Sequence, residues 1–280
     1  MSGSANPGGK PVVVVVGATS KWQADGRNTR LVHGDVPVAE DAVPLSARWG
    51  VGGAVAQKFA AEGCFVVMTT RNRDNAAGLL AAVTGQGGAG MVVELDLADP
   101  SGIKAAFAEI REAAGDPEVL VYNAGYLEGR QLPPEQELME FFPAEMFEVA
   151  IDVSCRGPFL VAQEVLPAMR RAGRGTLLFS NNPQSLRGRK RYTGMSLYYP
   201  RVMVRALAQA LTEEYTEHGV HVATVVIDGA IDSPGIRGVF PGPVMDPAQI
   251  AEAYYYLHRQ DRSVWTHEIQ LTPAPNSPAF

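Results

Sequence analysis

The chain has 280 residues, 46% of them hydrophobic and 19% charged, with a formal net charge of -6. That balance supplies a sizeable core and excludes fibrous, collagen-like and disordered classes. It also repels polyphosphate backbones, so nucleic acid is not an expected partner. The two cysteines, Cys64 and Cys155, form no spaced framework, which fits a reducing cytoplasm. No apolar run approaches the length of a membrane span, and the start MSGSANPGGKP lacks the charged and apolar regions of a signal peptide. A disordered leader over 1–10 and no membrane contact are expected.

Val12 to Val16, closed by Gly17, predict a strand buried on both faces, because a parallel strand between two helical layers has no polar side to present. Between Gly17 and Gly50 lie 32 residues of mixed charge and weak periodicity. Ordinary βα connections take about 2–6 residues, so an insertion over about 21–49 is expected, ordered over or beside a site. Apolar segments at 64–70, 91–96, 119–125, 176–180 and 220–228 predict further strands, with helical patterns such as AVAQKFAAEG and SGIKAAFAEIREAAG between them. A long helix, straight or bent, is expected over about 143–172 and another over about 200–218. Asp246 followed by Pro247 is a helix start, as N-cap and first helical residue, and a last strand lies within VWTHEIQL. The alternation of strand and helix predicts an α/β protein, a doubly wound parallel sheet in three αβα layers. One domain over 11–272 and a tail over 273–280 account for the chain.

A dinucleotide fold needs glycines where its first strand turns into its first helix, so that backbone can approach a diphosphate and helix amides can face it. Here VGATS (16–20) supplies Gly17 and Ser20, and after the insertion WGVGGAVAQKFAAEG supplies Gly50, Val51 and Gly52. With LDLAD (95–99), YNAG (122–125), IDVSCRGPFLVAQEVLPAM and VVIDGAIDS in order, the chain resembles the short-chain dehydrogenase/reductase family from Val12 to about Thr272. The resemblance implies a Rossmann-like fold and a nicotinamide cofactor. It places Asp96 and Leu97 at adenine, Asn123, Ala124 and Gly125 beside the cofactor, and Gly229 near the nicotinamide. LSARWGVGGAVA is similar to a divergent enoyl-reductase branch, in which Ser46 would help to hold the diphosphate. Closing a tenfold longer loop costs about 2 kcal/mol, so the insertion can still return Gly50 to its place. After the second main strand stands Arg71 with no acidic residue at the strand end, which favours NADP(H) over NAD(H), because a guanidinium pairs with a 2′-phosphate.

In that family a Tyr donates a proton to the carbonyl, a Lys four residues later lowers its pKa, a Ser bonds the carbonyl and an Asn supports a relay. Counting back from RALAQALTEEY puts Arg201 at the lysine position and Leu197 at the tyrosine position. Asn182 falls at the serine position and Ser154 at the asparagine position, so the tetrad is degenerate. Tyr198 and Tyr192 are the candidate acids in place of Leu197, with packing roles as the alternative. Arg201 keeps a permanent charge that can hold ribose or an oxyanion. RGRKR (187–191) either attracts an anionic substrate or coenzyme A thioester, or is simply solvated. The histidines show no metal-ligand spacing, and no metal is expected.

The implied function is NADP(H)-dependent oxidoreduction of a carbonyl, alcohol or enone by a cytoplasmic homo-oligomer, a dimer or tetramer. The alternatives are a non-redox lyase or isomerase on the same scaffold and an inactive subunit of a hetero-oligomer.

Overall fold

β1 (Val12–Val16) is the strand that the five valines predict. Val12, Val14 and Val16 enter one core, Val13 and Val15 enter the other, and none is more than 4% exposed. The computed structural model describes residues 6, 8–19, 27–29, 35–37, 43–125, 140–186, 199–234, 242–276 and 278. Within the insertion, β2 (Arg27–Thr29) and β3 (Asp35–Pro37) pair antiparallel. α1 (Leu45–Arg48) is one turn, and Trp49 joins it to α2 (Gly50–Ala61). Then follow β4 (Phe65–Thr70), α3 (Ala77–Gly85), β5 (Ala89–Glu94), α4 (Pro100–Ala114) and β6 (Val119–Tyr122).

α5 (Ala144–Ile151) passes through a π turn (Asp152–Arg156) into α6 (Gly157–Ala172), so the single long helix expected over 143–172 is continuous but locally widened. β7 (Gly175–Asn181), α7 (Val202–Tyr215) and β8 (Val220–Ile227) come next. β9 (Ala230–Ile231) and β10 (Val244–Met245) form a small parallel pair, and α8 (Pro247–His258) and β11 (Glu268–Leu271) complete the order. Asp246 caps α8 as expected, its carboxylate accepting from the Ala248 amide at 2.9 Å, with Pro247 in the first turn.

Seven strands make one parallel sheet in the order β11-β8-β7-β6-β1-β4-β5. At its centre Val14 lies opposite Val67 on one side and Leu120 on the other. α4, α6 and α7 cover one face and α2, α3 and α8 the other, each through an apolar stripe packed on alternate strand residues. This is the three-layer, doubly wound architecture that the sequence predicts. The strand order reverses at β1, and the crevice of such a sheet opens at the carboxyl ends there, beyond Gly17 and Tyr122.

Strand edges differ from the apolar segments for local reasons. The segment at 91–96 ends as a strand at Glu94, because the Asp96 carboxylate accepts the Ala98 amide and closes a turn. The segment at 119–125 ends as a strand at Tyr122, because Gly17 turns β1 away once the Asn123 amide has bonded the Val16 carbonyl. Of VWTHEIQL only the last four residues are strand. Before them the Gln260 side chain accepts the Thr266 amide at 2.9 Å and Trp265 stacks on His221.

His221 is buried between the Leu257 and Thr266 carbonyls, and His258 meets the Thr176 hydroxyl at 3.0 Å. Burial lowers the proton affinity of both rings below the ordinary histidine value. The unfolded chain therefore binds more protons, and this stability is complete above about pH 6.5 and is lost as the pH falls toward the folded values. The expected outcome is a lower urea midpoint at pH 5.8 than at pH 7.5, with a limiting slope of about 1.4 kcal/mol per pH unit for each ring. His258→Gln flattens that slope; equal midpoints at the two pH values would refute the assignment.

Candidate functional site

The glycines separated by the insertion meet in space. Gly17 ends β1 with φ of +83°, and its carbonyl accepts from Asn123 Nδ2 at 3.0 Å. A Cβ on Gly52 would strike that carbonyl and lie 2.9 Å from Ala18 Cα and from Asn123 Nδ2. A Cβ on Gly17 would come within 2.8 Å of the Ala124 backbone. The start of α2 thus rests against the ends of β1 and β6, in contact that only glycine permits. No side chain caps α2, its first turn holds no acidic residue, and the hydroxyl of buried Thr19 beside it has no hydrogen-bond partner. Uncapped amides, a cradle that a Cβ would fill and an orphaned hydroxyl fit a bound diphosphate. Val51 is buried in the same turn, and Ser46 is half-buried in α1.

Beyond β4, Arg73 grips both carboxylate oxygens of Glu109 at 2.9 Å and the Val92 carbonyl at 3.1 Å. The Asn72 side chain caps the following turn. Arg71 is exposed at the strand end. Asp96 is exposed, and Leu97 is buried in the core.

At the end of β6 the buried Tyr122 hydroxyl donates to the Val153 carbonyl in the π turn at 2.6 Å. Widening the helix frees that carbonyl for the bond, and π turns of this kind gather at functional sites. Ser154, next in the turn, is 1% exposed and its hydroxyl has no partner. The Cys155 thiol reaches the Pro200 carbonyl at 3.6 Å and ties the turn to the segment before α7.

Arg201 stands in the 3-10 turn just before α7, one residue ahead of the helix. Its Nη2 donates to the Ala124 carbonyl at 3.1 Å and its guanidinium lies over Gly125. Its own carbonyl accepts from Asn181 Nδ2 at 3.4 Å, and its Nε is shut off from water without a partner. Burial lowers the guanidinium pKa, although a group of this basicity stays charged at neutral pH. Asn182 follows β7 half-buried, its amide donating to Asn181 Oδ1 at 3.0 Å. Beneath them the hydroxyls of Ser180 and buried Tyr254 meet at 2.5 Å. Burial raises the pKa of Tyr122 and of Tyr254, so both phenols are neutral hydrogen-bonding struts.

Ser154, Asn182, Arg201 and Asn123 to Gly125 therefore gather at the carboxyl edge of the sheet. Gly229, after β8, is at the same edge but packs toward Pro273 and Met245. Ser20, Tyr192, Tyr198 and 187–191 lie outside the described residues. The sequence reading did not single out Tyr122, Cys155, Asn181, Ser180 or Tyr254. Tyr122, first in YNAG, was the one with a signal in the sequence; the others depend on pairings across more than 20 residues or on backbone geometry. No group of His, Cys, Asp and Glu among the described residues could hold a metal ion. No helix among them is long and apolar enough to cross a membrane.

A family model described as enoyl-(acyl carrier protein) reductase matches residues 46–269. The chain belongs to the short-chain dehydrogenase/reductase family. An uncharacterized oxidoreductase of Bacillus subtilis is 29% identical over 194 residues, 69% of this chain and 67% of that protein. A 3beta-hydroxysteroid dehydrogenase of Mediterraneibacter gnavus is 28% identical over 186 residues, 66% of this chain and 63% of that protein. The match thus spans no more than about two thirds of either relative. Among solved structures, a metagenomic short-chain oxidoreductase in complex with NADP superimposes with a TM-score of 0.69 at 23% identity, covering 94% of this chain and 97% of that one. An alcohol dehydrogenase from Thermococcus sibiricus complexed with 5-hydroxy-NADP gives 0.71 at 20% identity, covering 96% and 99%. The reductase-family fold is thus complete around the insertion.

A methyl group on Gly125 would lie 2.6 Å from Arg201 Nη2 and 3.0 Å from its Cζ. Gly125→Ala is expected to destabilise the protein by about 1–3 kcal/mol in urea unfolding. Removing the guanidinium relieves the clash, so Gly125→Ala combined with Arg201→Ala costs clearly less than the two single changes added. Additive costs would mean that the guanidinium does not lie over Gly125 in solution.

Proposed function

We propose that this chain is an NADP(H)-dependent oxidoreductase acting on a carbonyl, alcohol or enone. The observation that carries the reading is the reclosed turn, in which the start of α2 reaches the Gly17 carbonyl despite the insertion. Gly17, Ser20, Ser46, Gly50, Val51 and Gly52 would hold the diphosphate, Asp96 and Leu97 the adenine, and Asn123, Ala124, Gly125 and Gly229 the nicotinamide half. Arg71 would select the 2′-phosphate, and two structural relatives that are complexes with NADP or its derivative support that choice. When bound, the cofactor supplies hydride transfer. Asn182 orients the carbonyl by a hydrogen bond, Arg201 is the electrostatic anchor with Ser154 at the relay position, and Tyr198 or Tyr192 donates the proton.

The reading extends to organisation: a leader over 1–10, one domain over 11–272 with the insertion over 21–49 as a lid, and a tail over 273–280. It also includes a homo-oligomer working in the cytoplasm. A second reading rests on Arg201, which cannot release a proton as a lysine can. A lyase or isomerase would use its charge to stabilise an anion without redox chemistry.

NADPH fluorescence titration of the purified protein is expected to saturate, with Arg71→Ala weakening NADPH about tenfold or more and leaving NADH unchanged. Steady-state oxidation of NADPH with a carbonyl panel should fall at least about hundredfold in whichever of Tyr192→Phe and Tyr198→Phe removes the acid. Absence of nucleotide binding, or turnover indifferent to both changes, would overturn the reading.

A further inference from the structure

The guanidinium of Arg201 is a partly buried cation without a matching anion among the described residues. Two other half-buried arginines of the fold have one: Arg111 meets Glu164 at 3.0 Å, and Arg205, one turn further along, meets Glu268 at 2.6 Å. Arg201 joins no ion pair among the described residues. Its side chain donates to an uncharged carbonyl, that of Ala124. The two ionisable side chains whose fields reach it, Tyr122 and Tyr254, are neutral phenols already engaged with Val153 and Ser180. A buried charge of this kind ordinarily has a partner.

Two donors remain unused beside it. Arg201 Nε is enclosed and unpartnered, and so is the hydroxyl of Ser154, which is 1% exposed. Tyr122 links their surroundings: its hydroxyl bonds the carbonyl of Val153, the neighbour of Ser154, and it lies within the field of Arg201. The Cys155 to Pro200 contact holds the π turn against the residue preceding Arg201. Arg201 as a whole is half-buried.

We propose that Arg201 and Ser154 form a receptor for the carboxylate of an anionic substrate, and that the chain acts on small oxo acids or the corresponding hydroxy acids. The proposal rests on the oxidoreductase reading for the reacting carbonyl, and on the unmatched charge alone for the carboxylate. The geometry favours the substrate over the cofactor as the source of that charge. The diphosphate belongs at the Gly17 to Gly52 turn, and the ribose next to a nicotinamide carries no negative charge. A guanidinium with a free N–H pairs with a carboxylate more strongly than with a neutral oxygen.

The test uses the full-length protein without nucleotide, titrated with pyruvate and with its uncharged isostere pyruvamide, read by thermal unfolding and calorimetry. Pyruvate is expected to raise the unfolding midpoint saturably and pyruvamide to leave it unchanged. Arg201→Gln should weaken pyruvate at least tenfold, Ser154→Ala several-fold, and Arg201→Lys should retain part of the binding. Arg205→Gln, which removes a paired surface charge, should leave it unaltered. Equal stabilisation by both compounds, or pyruvate binding that survives Arg201→Gln, overturns the proposal. If Arg201→Gln fails to fold, the contrast between pyruvate and pyruvamide in the unaltered chain together with Ser154→Ala still decides. NADPH affinity, measured on the same samples, separates the two readings. Loss of NADPH binding in Arg201→Gln with no pyruvate effect in the parent assigns the guanidinium to ribose and overturns the receptor while leaving the redox reading intact. Pyruvate binding without NADPH binding upholds the receptor and removes the redox reading.

Discussion

Close approach of backbone to backbone at the carboxyl edge of β1 is the constraint on which the rest of the structure depends. The start of α2, the turn at Gly17 and the end of β6 occupy a space in which a single methyl group at Gly17 or Gly52 would collide with main chain. Asn123 fixes this junction from β6 by its side-chain bond to the Gly17 carbonyl and its amide bond to Val16. Once these three segments are locked, the helix amides, the end of β4 and the carboxyl ends of β6 and β7 face one crevice. The insertion leaves this junction intact because it departs after the turn and returns through α1 and Trp49, whose Cβ packs where Gly53 has none.

The second half of the crevice is built differently from the first. Its polar side chains are an arginine, a serine and asparagines, supported by two neutral phenols. Tyr122 bonds a carbonyl that the π turn exposes, and Tyr254 bonds Ser180, so both polar struts are satisfied inside apolar layers. That arrangement is stiff and leaves its unspent hydrogen-bonding capacity on Arg201 and Ser154. A permanently charged guanidinium changes the chemistry available: it holds negative charge strongly but takes no part in proton exchange at neutral pH.

Fold and activity separate at this point. The family assignment rests on the sheet order, the match over residues 46–269 and superposition over nearly the whole chain. The relatives act, by their names, on substrates as different as a hydroxysteroid and an alcohol, so the scaffold by itself selects none.

Sequence by itself determined the layers and their order. Five successive valines have no polar face, so β1 had to be central, and the apolar stripes of the helices fixed which side of each would be covered. Asp246 and Pro247 wrote the start of α8 in two residues, because a cap is a local interaction. Strand ends were less legible, since Glu94 and Tyr122 end their strands only because a neighbouring turn removes the partner. Arg201 could be placed by counting along α7, but not its resting place over Gly125, and nothing in the glycine itself reveals that a guanidinium fills its missing side chain. The meeting of Gly17 with Gly52, the carbonyl freed at Val153 and the unmatched charge of Arg201 were decided by tertiary structure alone. Each joins segments far apart in the chain, and sequence patterns record the periodicity of one segment but not the distance between two.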